Sequence, residues 1–291
     1  MKIKASLWPL FIASIASFMT LPTLAGEGKL LATAGLSQVE GSGGGGLVPW
    51  ATLAGYDSRD ETSGSVFITN VNTQDYRLSS QGIAAGFYDR VELSYAKQVF
   101  HLPVSLTNAS TGGEIEQDII GAKVRLYGDA VYSNYPQLSI GIQHKRLADA
   151  FVAKSVVGAG HSESGTDLYL AATKVHLGFL DGYNLVWNLA ARATKANELG
   201  LLGYGGKNKA SYDVMFEGSF GVLVSPHWVV GMEYRQKPDN LGLKEDDWKD
   251  VFVSYIPNKD INVTAAWVDL GSIAGSAKQT GLYVSLTGYV W

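Results

Sequence analysis

The sequence predicts an all-β chain folded as a transmembrane, antiparallel up-and-down β-barrel of about twelve strands. Three observations predict it. The stretch 281–291 alternates without a break, with Leu282, Val284, Leu286 and Val290 in one set and Tyr283, Ser285, Thr287, Tyr289 and Trp291 in the other. That is the two-residue period of a strand, and a strand with a sticky free edge is at home in a barrel that closes on itself. From Leu47 onward, segments of roughly ten to fourteen residues are joined alternately by short and long connections, as in outer-membrane barrels. The chain also opens on a secretory signal, with Lys2 and Lys4, an apolar core over Leu7 to Met19, and Thr23-Leu24-Ala25 before Gly26.

Composition agrees. The 291 residues are 46% hydrophobic and 17% charged, with 34 glycines and no cysteine. Beyond the signal no apolar run is long enough for a helical span, so only a β-type crossing is open. Without cysteine, thiol catalysis and thiolate metal sites are excluded. Removal of residues 1–25 leaves 21 basic against 27 acidic residues, a net charge of −6, which argues against nucleic acid as a partner.

In chain order, residues 26–46 hold a short apolar piece, Lys29 to Leu36, and the run Gly41-Ser42-Gly43-Gly44-Gly45-Gly46. No Lys-Ser/Thr follows the glycines, as a phosphate loop would require, so the region reads as a flexible tether into the wall. The wall is expected at 47–56, 76–88, 90–100, 115–127, 137–146, 166–178, 182–194, 211–224, 227–236, 248–256, 260–269 and 280–291. Within 57–75, Ser65-Val66-Phe67-Ile68-Thr69 is a further short-strand candidate. Short turns are expected at Tyr88-Asp89-Arg90, Phe179 to Gly182, Ser225-Pro226-His227 and Pro257-Asn258-Lys259, with a longer one at Gly128 to Tyr135. Long connections fall at 57–75, 101–114, 147–165, 195–210, 237–247 and 270–279. With both termini in the periplasm, an even strand count agrees with short turns inside and long loops outside.

Alternation also divides the faces. In 182–194, Tyr183, Leu185, Trp187, Leu189, Ala191 and Ala193 oppose Asn184, Asn188 and Arg192. Aromatics near strand ends, such as Tyr88, Tyr127, Tyr183, Trp228, Tyr255, Trp267, Tyr289 and Trp291, have the placement of interface girdles. The apolar sets therefore face lipid and the polar sets the lumen. By parity the lumen receives Glu92, Lys123, Arg125, Gln143, Lys145, Lys174, His176, Asn184, Asn188, Arg192, Glu217, Glu233 and Arg235. Opposed carboxylates and guanidiniums orient a polar solute in a conduit; the opposite reading is a set of salt bridges that fills a narrow barrel.

Catalytic signals are poor. His144 shares a face with Leu138, Ile140 and Ile142, but no serine stands two residues beyond it, and His161-Ser162-Glu163-Ser164 sits in a loop. Neither G-x-S-x-G nor H-E-x-x-H occurs. The loop 236–250 is the most charge-dense stretch; its Glu245-Asp246-Asp247 run lacks the alternate spacing of a calcium loop, and its lysines suit lipopolysaccharide phosphates or internal pairs. The loop 194–206 mixes apolar residues with glycines, which suits a constriction folded into the barrel or a contact with the outer leaflet.

Several blocks carry a family resemblance: Gly43 to Ala51, Ser164 to Lys174, Arg192 to Asn197, Glu233 to Leu241 and Lys244 to Asp250. Together they resemble an uncharacterised proteobacterial family catalogued only as a domain of unknown function. The likeness covers nearly the whole mature chain. It implies a secreted, outer-membrane protein with no assigned substrate and supplies no catalytic residues. The aromatic terminal strand likewise resembles the C-terminal signal read by the barrel-assembly machinery. The expectation is a narrow, porin-like uptake pore for small solutes in the Gram-negative outer membrane, with lipid and lipopolysaccharide around it and no cofactor or metal. The alternative is a non-conducting structural or partner-binding barrel, and a surface enzyme comes third.

Overall fold

The computed structural model describes residues 29–103, 113–148 and 160–290. Residues 1–28, which hold the expected signal peptide, and Trp291 lie outside them, as do 104–112 and 149–159 of two long connections. Two short strands, β1 (Leu36–Ser37) and β2 (Gly43–Gly44), pair with each other. The wall follows: β3 (Thr62–Thr73), β4 (Arg77–Phe87), β5 (Val91–Leu102), β6 (Gly113–Tyr127), β7 (Gln137–Leu147), β8 (Ser164–Leu180), β9 (Tyr183–Thr194), β10 (Asp213–Ser225), β11 (Trp228–Arg235), β12 (Trp248–Tyr255), β13 (Ile261–Asp269) and β14 (Thr280–Val290). Each pairs with its sequence neighbours, and β14 pairs antiparallel with β3, from Gly281↔Thr73 to Val290↔Gly64, to close a twelve-stranded barrel. The strand count, the antiparallel meander and the closing role of the last strand are those expected.

One wall strand is not. Residues 47–56 were expected as the first strand, and instead they lie inside the barrel; the wall begins at β3, within the expected long connection 57–75. Pro49 explains part of this, because a proline inside an apolar run cannot donate to a ladder and disfavours a wall strand. The β3–β4 connection consequently shrinks to residues 74–76, a tight turn at the end otherwise occupied by long loops.

At the opposite end the turns are short for a visible reason. Tyr88 (φ 57°) and Asp89 (φ 51°) follow β4, and Asp181 (φ 48°) and Gly182 (φ 92°) follow β8. Two successive left-handed residues match the twist of a tight hairpin.

The faces are those of a membrane barrel. Leu93, Ile120, Leu189, Val214, Phe216 and Trp267 point outward and are exposed, while Glu92, Lys123, Lys145, Arg192, Glu217 and Glu233 point inward and are buried. A polar interior under an apolar exterior is unfavourable in water and favourable in lipid. Tyr88, Tyr127, Tyr183, Trp228 and Tyr255 are exposed around the short-turn rim, where an interfacial girdle belongs. Tyr289 is not part of it: its side chain turns inward, stacks edge-on with Tyr56 at 5.4 Å and donates to the Gly35 carbonyl at 2.8 Å. This is a barrel of the Gram-negative outer-membrane type.

Candidate functional site

The lumen is occupied by the chain's own N-terminal segment. It enters at the short-turn end, where Lys29 pairs with Asp89 at 2.9 Å. It then rises toward the long-loop end, turns at residues 38–47, and returns to Asp57, which accepts from the Asp89 N–H at 2.7 Å and the Ser63 hydroxyl at 2.6 Å. Residues 34–57 are all buried. The stretch expected as a tether is therefore a plug.

Glycine explains how it fits. A Cβ on Gly44 would stand 2.6 Å from the Val48 carbonyl and 2.8 Å from the Trp50 nitrogen, and one on Gly45 would overlap the Glu233 carboxylate. The run supplies close approach of backbone to the returning limb of the plug and to the wall, a use of glycine distinct from flexibility.

Wall side chains satisfy the plug's backbone. Glu92 accepts from the Gly43 N–H at 3.1 Å and the Ala54 N–H at 2.7 Å, and Lys123 donates to the Gly43 and Thr52 carbonyls at 2.7 and 2.8 Å. Glu233 accepts from the Leu47 N–H at 2.6 Å. Asn188 donates to the Pro49 carbonyl at 3.2 Å, and Gln137 and Ser139 both donate to that of Ala51 at 2.7 and 2.6 Å. A buried peptide group without a partner would cost about 1–3 kcal/mol, so this matching selects one seating of the segment.

Toward the long-loop end lies a charge-balanced cluster. Glu40, from the plug, pairs with Lys145, with Arg192 at 3.0 Å and with Arg235 at 2.6 Å. Asp167 lies 2.6 Å from Lys145, and Glu217 lies 2.7 Å from Arg192 and 3.3 Å from Arg235. Three carboxylates thus meet three cations. A space of about 20 Å³, room for about one water, adjoins Asp167, Arg192, Glu217 and Arg235.

Of the residues expected in the lumen, Glu92, Lys123, Gln143, Lys145, Asn188, Arg192, Glu217, Glu233 and Arg235 face it and are buried. Arg125 stands at the short-turn mouth, bound to Asp89, to Asp129 at 3.1 Å and to the Gly128 carbonyl. Lys174 and His176 are placed wrongly by the sequence reading. On β8 the residues facing lipid are Leu168 and Leu170, so Lys174 and His176 share their face, opposite Trp187 and Leu185 of β9. Lys174 escapes lipid by donating to the Val131 and Ser133 carbonyls of the β6–β7 turn, and His176 accepts from the Trp187 indole at 3.0 Å. Correct parity on β8 would have found Asp167; Glu40 was hidden by the tether assignment.

The loop after β9 closes the long-loop end. Leu199, Leu201 and Leu202 are buried in one apolar cluster with plug residues Val39 and Leu47, and the Tyr204 hydroxyl donates to Gln117 at 2.8 Å. The loop folds inward, one of the two arrangements its apolar residues suit. Lys237 joins it to the β11–β12 loop by bridging Glu198 at 2.7 Å and Glu245 at 2.8 Å. Burial pushes the Glu198 carboxyl up to about 8; Lys237 opposes the rise and Glu245 adds to it. Burial alone would lower Lys237, but the two carboxylates outweigh it and its pKa is raised. His144 is exposed on the outer face, 2.9 Å from the Thr166 hydroxyl. Among the described residues no group of His, Asp and Glu is arranged to hold a metal ion.

A protein family described as "Protein of unknown function (DUF3034)" matches residues 33–287. No curated protein matches the chain. Among solved structures, the chain is similar to the KdgM porin, with 12% identity over 77% of this chain and 98% of that one and a TM-score of 0.49. The NanC porin is similar at 8% identity over 78% and 98%, with a TM-score of 0.46. The outer membrane protein Omp33 of Acinetobacter baumannii is similar at 10% identity over 80% and 99%, with a TM-score of 0.44. Likeness at this level says nothing of solutes.

Proposed function

The chain belongs to the family described as a protein of unknown function, DUF3034, and from that premise and the lumen geometry we propose a porin-like barrel shut at rest by its own N-terminal segment. Small solutes pass only when the segment moves. The observation that carries this reading is Glu40, a fully buried plug carboxylate held by three wall cations. Charged groups that would line a conduit are occupied by the plug, and its removal would return them to a solute. We assign the barrel no catalytic activity. Around it we place outer-membrane lipid and lipopolysaccharide, with β14 as the strand engaged by the barrel-assembly machinery.

Single-channel recording in planar bilayers tests the proposal. The full mature protein, heat-modifiable on gels, is expected to stay closed at low voltage, Glu40→Lys to open in bursts, and deletion of residues 34–57 to conduct steadily. In that deletion, Glu217→Lys should shift selectivity toward anions. Free conductance by the full protein would overturn the resting closure. A folded deletion variant that never conducts would remove the channel reading and leave a non-conducting, partner-binding barrel.

A further inference from the structure

Between the plug and the wall at the short-turn end lies a second space, a cavity of about 570 Å³. Its wall comes from β8 to β12, through residues such as Val175, Val186, Val229, Phe252 and Ile256, and its inner side from Leu31 and Trp50 of the plug. Among the described residues that line it, none is charged. In a lumen whose other inward positions carry Glu92, Lys123, Lys145, Arg192, Glu217 and Glu233, this is a separate chemical environment. Lipid contact does not account for it, because these side chains point inward. The plug, which satisfies the polar wall group by group, leaves this part of the wall uncovered.

The size lies within the roughly 300–1,000 Å³ range of small-molecule sites, which are typically apolar with a few polar groups. The polar groups here are uncharged. Thr173 and Ser254 already have partners at 2.8 and 3.0 Å, whereas the buried Thr52 hydroxyl has none among the described residues. An ionised ligand would lose its hydration with no counter-charge to replace it. A hydrocarbon body would gain with each methylene removed from water.

We propose that this cavity is a binding site for one neutral, apolar small molecule, of the size of a medium-length aliphatic alcohol or a small fused-ring aromatic, entering from the periplasmic mouth. The site is present with the plug seated, whether or not the barrel conducts.

The test is a fluorescence titration of the full mature protein in lipid nanodiscs with 1-aminoanthracene, with empty discs as reference. Saturable binding near one probe per barrel is expected, competed by decanol at least tenfold more effectively than by decanoate. Val229→Phe and Val186→Phe, which fill the cavity, should each weaken binding at least tenfold, while the lipid-facing Val230→Phe leaves it unchanged; heat-modifiability confirms folding. A signal no larger than that of empty discs would overturn the site. So would unaltered binding in both filled variants, which would place the probe in lipid. Equal competition by decanoate would overturn the restriction to neutral ligands.

Discussion

At the residue scale the plug depends on side chains that are absent as much as on those present. Gly45 lies against Glu233 with no room for a Cβ. Gly45→Val is therefore expected to unseat the turn of the plug while the wall pairing stays intact. Limited proteolysis from the periplasmic side should cut within 34–57 at least tenfold faster than in the wild type. Glu198 leads to a different prediction. Its folded pKa of about 8 exceeds the ordinary 4.5, so between those values the folded loop binds more protons than the unfolded one. Stability conferred by this group is full below about 4.5, declines as pH climbs through the window and levels off above about 8. Lys237, with its pKa raised, loses its contribution only in the alkaline range above that window. Hydrogen exchange over 196–204 should accelerate from pH 5 to pH 8, and Glu198→Gln should flatten that dependence after correction for intrinsic exchange.

At the element scale, legibility follows the contrast between faces. In β9, Asn188 and Arg192 alternate with Leu189 and Ala191, and both the strand and its orientation are readable from the sequence. In β3, Ser65, Phe67, Thr69 and Val71 face inward while Val66 and Asn70 face outward. Each face mixes polar and apolar groups, so periodicity does not separate lumen from lipid there. The plug stretch 47–56 is apolar and extended like a wall strand, but its apolar groups are hidden by the lumen and not by lipid. Glu40 could not be recognised without knowing that the N-terminal segment returns inside; the wall cations that hold it could be, from parity alone. Orientation gives a direct prediction at Leu189, exposed at mid-strand on the lipid face. Leu189→Arg should destabilise the barrel by about 2–4 kcal/mol in bilayer refolding measurements, as arginine does near the midplane.

Across the whole molecule the plug touches wall strands on all sides. Val39 accepts from Ser80 of β4 and Gln98 of β5, Ala51 from β7, Pro49 from β9, and Leu47 bonds with β11. It therefore acts as an internal brace. Removing 34–57 should lower the temperature at which the barrel loses its compact migration on gels, while spectroscopic strand content at low temperature changes little. Wild-type thermal behaviour in the deletion variant would show that the wall is self-sufficient. The plug also precedes every wall strand in the chain, and the wall is sealed only when β14 meets β3. During biogenesis the occupant is thus on hand before there is a lumen to occupy. Seating the segment therefore does not require threading it into a finished barrel.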